Sequence, residues 1–196
     1  MSWTIVIQAG GESRRMGQNK ALLPFRSQPL IERVVKRLQP FSDELILTAN
    51  QPELFQFLGL PIFSDLIRGK GALGGLYTAL NAAHFPLVAV VACDMPFINP
   101  VLLSAERDLL DQGDWDVAIP HSAEGLEPLH ALYRKEVCLP PIRLALEENR
   151  LRMDSWFSDV KVHEMSLDEV SKYDPEFRSF MNVNTPEEFT QAEQLE

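Results

Sequence analysis

Short apolar runs alternate with amphipathic segments along this chain, and the alternation limits its possible folds more than any other feature. Residues 87–93 (LVAVVAC) are apolar throughout, which is typical of a central strand covered on both faces. Residues 30–38 repeat apolar side chains at helical spacing, which predicts a helix that Pro40 ends. Such alternation predicts a single α/β domain over residues 1–196, with a three-layer α/β/α, Rossmann-like architecture and a mostly parallel sheet.

The same patterns place the remaining elements. They predict strands near residues 3–9, 45–49, 61–63, 116–120 and 129–133. They predict helices near residues 53–58, 76–83, 100–110, 139–148 and 186–194. The last helix has a clear start signal, with Thr185 at the N-cap, Pro186 at the first position and Glu188 at the third. The glycine-rich stretch 69–75 is interpreted as a loop that leads into the next helix and is a candidate lining of the site.

Charge and cysteine content exclude several classes of function. Eighteen basic and 28 acidic residues give a net charge of −10, which argues against nucleic acid or an anionic membrane as a partner. Cys93 and Cys138 lack the spacing of a disulfide framework or a zinc site. We find no signal-peptide pattern and no apolar run long enough to span a bilayer, so a cytoplasmic location is expected. The predicted helices have polar outer faces, and a monomer is the default expectation.

The loop after the first predicted strand has the composition of an anion-binding loop. Its sequence over residues 8–20 is QAGGESRRMGQNK. Gly10 and Gly11 allow backbone N–H groups to approach phosphate oxygens closely, because neither residue carries a Cβ. Two arginines and Lys20 add three cations to a chain that is acidic elsewhere. A loop whose basic side chains are simply solvated is the alternative. This loop is not a Gly-x-Gly-x-x-Gly fingerprint, and Gly69-Lys70, which Gly71 follows, does not match a Walker-type phosphate loop.

Asp94 directly follows the apolar run 87–93, so we expect its carboxylate at the carboxyl end of a central strand, where α/β sheets bind ligands. That position suits Mg²⁺, which takes one or two carboxylates and fills its other sites with phosphates and water. The alternative is an Asp that hydrogen-bonds the backbone of the following turn. A cationic loop in the same chain favours the metal interpretation. Asn182 and Asn184 alternate along an extended segment, which places both amides on one side.

Three motifs resemble those of a known enzyme family. Residues 9–23 (AGGESRRMGQNKALL) resemble the nucleotidyltransferase signature Ala-Gly-Gly-x-Ser-x-Arg-Met-Gly-x-x-Lys-x-Leu, and residues 93–96 (CDMP) resemble the metal-binding strand end of that superfamily. Residues 182–188 (NVNTPEE) are similar to the closing motif of the molybdenum cofactor guanylyltransferases. The resemblance extends over nearly the whole chain. It implies a Mg²⁺-dependent transfer of GMP from GTP to molybdopterin-bound molybdenum, with pyrophosphate as the second product.

The resemblance also implies roles for individual residues. The set that matches the family's nucleotide-binding positions is Gln8, Ala9, Gly10, Gly11, Lys20, Asn50, Asp65 and Asp94. The set that matches positions near the metal and the acceptor is Asn182 and Asn184. Lys20, Arg15 and Asp94 are expected to be catalytic, the first two by neutralising charge on the phosphates and the third as the Mg²⁺ ligand. Gln8 occupies a position where the family usually has an apolar residue, although a backbone contact there would survive the change.

The implied chemistry explains why no general base stands out in the sequence. The acceptor is a phosphate monoester that is largely dianionic near neutrality, so it can attack the α-phosphorus without losing a proton to the protein. Catalysis then depends mainly on positioning and charge neutralisation. Two enzyme alternatives remain open, a molybdopterin cytidylyltransferase and a sugar-phosphate nucleotidyltransferase. An alternative of another class is a non-catalytic carrier of molybdopterin or nucleotide. The reactive product favours transient docking to molybdoenzymes or to cofactor-delivery proteins.

Overall fold

The computed structural model describes residues 1–10 and 19–195 and confirms the alternation of strands and helices. The strands are β1 (Trp3–Gln8), β2 (Pro24–Phe25), β3 (Gln28–Pro29), β4 (Glu44–Thr48), β5 (Ile62–Phe63), β6 (Leu87–Ala92), β7 (Val117–Ser122), β8 (Gly125–Leu126), β9 (His130–Arg134) and β10 (Val162–Met165). The α-helices are α1 (Leu30–Leu38), α2 (Gly71–Ala82), α3 (Pro100–Gln112), α4 (Lys135–Glu147), α5 (Leu167–Ser171) and α6 (Pro186–Glu193). Within the described parts, no helix combines the length and the apolar character that crossing a bilayer requires.

The central sheet has the strand order β10-β7-β9-β6-β1-β4-β5, and β8 pairs with the end of β7. The four neighbours β6, β1, β4 and β5 run parallel to one another. Strand β9 is antiparallel to β6 and β7, while β10 runs parallel to β7. The expected α/β fold with a mostly parallel sheet is therefore confirmed. Strands β2 and β3 form a separate antiparallel hairpin before α1.

Different helices cover the two faces of the sheet. Ile5 and Ile7 of β1 belong to the core under α1 and α3, whereas Val6 belongs to the core under α2 and α4. This division follows from the strand geometry, in which successive side chains point to opposite faces. Strand β6 is fully buried along its length, as the apolar run predicts for a strand between two helical layers. The result is the three-layer arrangement that the sequence indicates.

The helix α2 differs most from its prediction. It begins at Gly71, so much of the glycine-rich stretch 69–75 is helical and the loop interpretation of that part is wrong. A Cβ at Gly75 would lie only 2.2 Å from the side-chain amide nitrogen of Gln8, and one at Gly74 would lie 2.8 Å from the Cβ of Lys70. The glycines thus permit close packing inside a helix, although their low helix propensity suggests a loop.

Other differences are confined to short or irregular elements. The predicted helix near residues 53–58 is a 3-10 helix over Pro52–Leu58. Helix α4 begins four residues before its predicted start at Leu139 and continues through Pro140 and Pro141. Strand β10 and helix α5, of four and five residues, have no counterpart among the predicted elements. Helix α6 has the predicted capping box between Thr185 and Glu188.

Candidate active site

Four adjacent parallel strands end at the same edge of the sheet, and the residues that follow them form one side of the candidate site. In spatial order these strands are β6, β1, β4 and β5. Asp94 follows β6, Ala9 follows β1, Asn50 follows β4 and Asp65 follows β5. Backbone pairing continues just beyond the strands, since the N–H of Ala9 donates to the carbonyl of Thr48 at 2.8 Å. The fold therefore brings these predicted residues to one edge.

Lys20, Asp94 and Asn184 form a hydrogen-bonded cluster at this edge. The Nζ of Lys20 donates to Oδ2 of Asp94 at 3.0 Å and also donates to Oδ1 of Asn184. The side chains of Lys20 and Asp94 are 24% and 17% exposed, so their interaction is partly shielded from water. The N–H of Val183 donates to the backbone carbonyl of Asp94 at 3.0 Å. Residues from the start, middle and end of the chain thus meet in one cluster.

Short capped elements hold the two ends of this cluster. Lys20 begins a 3-10 turn, and Oδ1 of the preceding Asn19 accepts from the N–H of Ala21 at 3.1 Å. At the other end, Oε2 of Glu188 accepts from the N–H of Asn184 at 2.5 Å and from the N–H of Thr185 at 3.1 Å. The capping box of α6 therefore orients Asn184 towards Lys20. The sequence predicts the cap itself, but it does not predict that Glu188 also bonds the N–H of Asn184.

Asn50 and Asp65 pair with each other on the far side of the edge. The Nδ2 of Asn50 donates to Oδ2 of Asp65 at 2.7 Å, and the N–H of Asp65 donates to Oδ1 of Asn50 at 3.2 Å. These reciprocal bonds lock the loops after β4 and β5 together. Asn50 is exposed and Asp65 is half-buried, so the pair is accessible to a ligand.

Gln8 is placed differently from the other predicted residues. Its side chain is only 5% exposed and points to α2, where Nε2 donates to the carbonyl of Ala72 at 3.3 Å. Its backbone carbonyl accepts from the N–H of Cys93 at 3.3 Å, which ties the ends of β1 and β6 together. The predicted nucleotide-binding residue Gly11 and the predicted catalytic residue Arg15 lie outside the described residues. Gly10 is exposed at the end of the described part of the loop.

A cavity of about 270 Å³ opens beside Asp94, and Asn182, Asn184 and Glu127 line it. The last three residues also line a neighbouring cavity of about 680 Å³, so the two spaces adjoin. Burial raises the pKa of the Glu127 carboxyl, while the nearby Ser122 hydroxyl and His130 oppose that rise. The sequence analysis assigned Glu127 no role. Its position just before β9 is the only signal that could have suggested one.

The donor set around Asp94 is compatible with Mg²⁺. Among the residues that the structure describes, no group of three His, Cys, Asp or Glu side chains is placed to hold a metal. Asp94 instead supplies one carboxylate, and Asn182 and Asn184 add amide groups in the same cavity. Such a sparse oxygen set suits Mg²⁺, which usually keeps several waters and binds substrate phosphates.

Burial and the adjacent Asp94 raise the pKa of Cys93 to about 12, so that thiol stays protonated at neutral pH.

Comparison with known proteins identifies the family. The family model of the MobA-like NTP transferase domain matches residues 5–161, which include most of β1 and all of β4, β5 and β6, the strands that carry the site. The chain belongs to this family. This MobA-like NTP transferase is 38% identical over 190 residues to a protein of Pelotomaculum thermopropionicum named probable molybdenum cofactor guanylyltransferase. The match covers 96% of this chain and 91% of that relative.

Two further comparisons support membership of the MobA-like family. A protein of Carboxydothermus hydrogenoformans with the same name is 37% identical over 189 residues, and the match covers 95% of this chain and 92% of the relative. Among solved structures, molybdopterin-guanine dinucleotide biosynthesis protein A from Archaeoglobus fulgidus superposes with a TM-score of 0.84 at 26% identity. That match covers 97% of both chains. The resemblance stated from the motifs is thereby confirmed, and the chain is a nucleotidyltransferase by family.

Proposed function

We propose that this protein transfers GMP from GTP to the molybdenum-molybdopterin cofactor, forming the molybdopterin guanine dinucleotide cofactor and pyrophosphate. The observation that carries the proposal is the cluster of Lys20, Asp94 and Asn184 at the carboxyl edge of the sheet. It combines a cation for phosphate, a carboxylate for a metal and an amide that lines both cavities of about 270 and 680 Å³, the acceptor-side cavities. The names of the relatives support the choice of substrates.

The reaction needs no proton acceptor on the protein. A phosphate oxygen of the acceptor forms a bond to the α-phosphorus of GTP, while the bond from that phosphorus to the bridging oxygen breaks and pyrophosphate leaves with the electron pair. The ammonium group of Lys20 stabilises the negative charge that develops on the leaving group. Asn182 and Asn184 orient the acceptor in the cavity beside Asp94. Arg15, from the same loop as Lys20, adds a second cation in this proposal.

Mg²⁺ would be held by Asp94, and when bound it would neutralise phosphate charge and align the reacting oxygens. The protein itself fixes that carboxylate through backbone pairing to Val183 and through the bond from Lys20. On the nucleotide side, the Asn50–Asp65 pair and the backbone of residues 8–11 would contact GTP. The exposed position of Gly10 and the accessibility of the pair support these roles.

The test is pyrophosphate release in the presence of Mg²⁺ and molybdenum-molybdopterin, with GTP, CTP and ATP in parallel. Acceptor-dependent release with GTP alone is the expected result. Release with CTP instead would identify a cytidylyltransferase. No release with any nucleotide, from protein shown to be folded by circular dichroism, would refute the proposal. Sugar 1-phosphates as acceptors would then test the remaining enzyme alternative, and nucleotide binding without release would indicate a carrier.

A Lys20→Ala variant tests the role of the cation. Removal of one electrostatic donor commonly lowers the rate by about 10²–10³-fold, and we expect a loss of this size in kcat with the fold intact. Lys36→Ala is a matched control, because Lys36 is an exposed lysine on α1 whose side chain bonds Glu32 and Gln28 among the described residues. Unchanged turnover in Lys20→Ala would remove Lys20 from the mechanism.

A further inference from the structure

A buried acid–imidazole pair lies behind the acceptor-side cavities. Glu106 of α3 and His130 of β9 are both 0% exposed, and Nδ1 of His130 lies 3.0 Å from Oε1 of Glu106. Oε2 of Glu106 and Nε2 of His130 are buried and have no hydrogen-bond partner in the described part of the chain. A buried pair of this kind often stabilises a fold no better than apolar residues of similar volume would. Stability alone therefore gives a poor account of its presence.

His130 contacts two residues that line the acceptor-side cavities, Phe180 and Glu127. Its ring packs edge-on against the ring of Phe180, with centroids 5.2 Å apart, and Phe180 lines the larger cavity two residues before Asn182. On the other side, the N–H of His130 donates to the carbonyl of Glu127 at 2.9 Å. Glu127 lines both cavities. A change in the orientation of the His130 ring would thus reach Phe180 through ring packing, while Glu127 is bonded to the His130 backbone and interacts with His130 electrostatically.

The segment that leads to Asn182 depends on such contacts for its path. Phe177 has a φ of 54°, in the left-handed region that bulky residues rarely adopt, so surrounding contacts must hold it there. Oδ2 of Asp174 accepts from the buried N–H of Ser179 at 2.7 Å and anchors the beginning of the segment. The contact of Phe180 with His130 then fixes the ring that faces the cavity.

We propose that Glu106 and His130 are a positioning pair that holds Phe180 and Glu127, and through them Asn182, in the geometry that binds the acceptor. Glu106 orients the imidazole by its hydrogen bond with Nδ1, the imidazole supports Phe180, and the backbone N–H of His130 holds Glu127. Neither residue touches the reacting atoms. The inference rests on the proposed function only for the identity of the acceptor, since the positioning itself is a property of this chain.

The pair also makes the acceptor site sensitive to pH. Burial raises the pKa of Glu106 to about 7, and His130 partly opposes that rise. Glu127 is the other carboxyl that interacts with His130, and the buried Tyr133 hydroxyl interacts with Glu106. As the pH rises through 7, Glu106 loses its proton and becomes a hydrogen-bond acceptor only. The orientation of His130, and with it the acceptor site, is expected to change over this range.

The first experiment needs no substrate. We would measure hydrogen–deuterium exchange by mass spectrometry on the wild type, Glu106→Leu, Glu106→Gln and Leu110→Ala. Glu106→Leu removes the hydrogen bond to His130, and faster exchange is expected in peptides that cover residues 127–130 and 178–184. Glu106→Gln keeps an oxygen that can accept from His130 and should restore the wild-type rate. Leu110→Ala is the control, because Leu110 is a buried residue one turn after Glu106 on α3, in a core cluster that does not include Phe180.

The second experiment measures steady-state GMP transfer. Glu106→Leu is expected to raise the KM of the acceptor about tenfold, by analogy with the lower end of the effect of residues that orient metal ligands, and to leave the KM of GTP unchanged. In the wild type the acceptor KM should vary across pH 7 more steeply than in Glu106→Gln. The comparison of the two proteins removes the titration of the acceptor phosphate itself. Leu110→Ala should lower stability without changing either KM.

The outcomes separate this inference from the proposed function. No acceptor-dependent transfer by the wild type would refute the function, and the exchange experiment would still test the positioning. Exchange that rises uniformly in Glu106→Leu, or equally in Leu110→Ala, would show a purely structural pair and overturn the inference. If Glu106→Leu does not fold, the pH dependence of the acceptor KM in the wild type and in Glu106→Gln tests the inference instead. Identical acceptor KM profiles for the wild type and Glu106→Gln would then refute the positioning role.

Discussion

The packing of Gln8 against Gly75 predicts a strong energetic coupling between β1 and α2. A Cβ at position 75 would lie 2.2 Å from Nε2, 2.6 Å from Cδ and 3.0 Å from Oε1 of Gln8. Rotation of the methyl group does not move its carbon atom, so the whole amide of Gln8 must move. The Gln8 side chain is buried and would lose its hydrogen bond to Ala72 when it moves. Gly75→Ala should therefore destabilise the fold, although alanine favours helices.

The two contributions can be estimated separately. Alanine in place of glycine inside a helix contributes about 1 kcal/mol of stability. Overpacking of a well-packed core costs about 1–3 kcal/mol, so the net effect of Gly75→Ala should be a loss of roughly 0–2 kcal/mol. In a Gln8→Ala background the obstacle is absent and only the helix gain remains. The same substitution should then stabilise the protein by about 1 kcal/mol, which gives a coupling energy of about 1–3 kcal/mol.

Urea unfolding of the wild type, both single variants and the double variant measures this coupling. For a chain of this size, 1 kcal/mol corresponds to about 2–4 °C in Tm, so calorimetry offers an independent check. Effects that add to within about 0.5 kcal/mol would refute the argument, because they would mean that Gln8 accommodates the methyl group without cost. The result also bears on function, since Gln8 begins the loop that is proposed to bind the nucleotide.

Three further predictions follow from single contacts. Glu106→Gln removes a carboxyl whose pKa is about 7 in the folded protein against 4.5 as its ordinary value. The folded state binds that proton more tightly, so between about pH 4.5 and 7 the wild type should lose stability relative to the variant as the pH rises, as measured by urea unfolding. Asn50→Ala removes the partner of Asp65 and should raise the KM of GTP about tenfold with little change in kcat, as measured by steady-state kinetics. Glu188→Ala removes half of the capping box with Thr185, and calorimetry should show a loss of about 1 kcal/mol together with a lower kcat.

Periodicity and the geometry of parallel sheets explain why much of the fold could be predicted. The apolar run 87–93 and the pattern over residues 30–38 correspond closely to β6 (Leu87–Ala92) and α1 (Leu30–Leu38). The rule that ligands bind at the carboxyl ends of strands selected Asp94, and the structure places it beside Lys20. These predictions succeed because they depend on local spacing and on a general property of the architecture.

The elements that escaped prediction depend on contacts between distant residues. Gly74 and Gly75 lie within a helix because their missing side chains allow close packing, and a local propensity argument cannot anticipate that neighbour. The hydrogen bond between Lys20 and Asn184 joins residues 164 positions apart. Glu106 and His130 are each unremarkable in sequence, and only the packing of α3 against β9 makes them a buried pair. Their significance is therefore visible only in three dimensions.

Charge balance links the uneven composition of the chain to the proposed reaction. Residues 1–37 carry a local charge of +5 in a protein whose net charge is −10. At the described part of the site, Lys20 does no more than neutralise Asp94. A nucleoside triphosphate adds several negative charges to this balanced pair, and in a partly shielded site they must be compensated. Further cations from the loop and a divalent ion on Asp94 would supply that compensation. Under the proposed function, the cations of this loop would also attract the anionic substrate to this edge of the sheet.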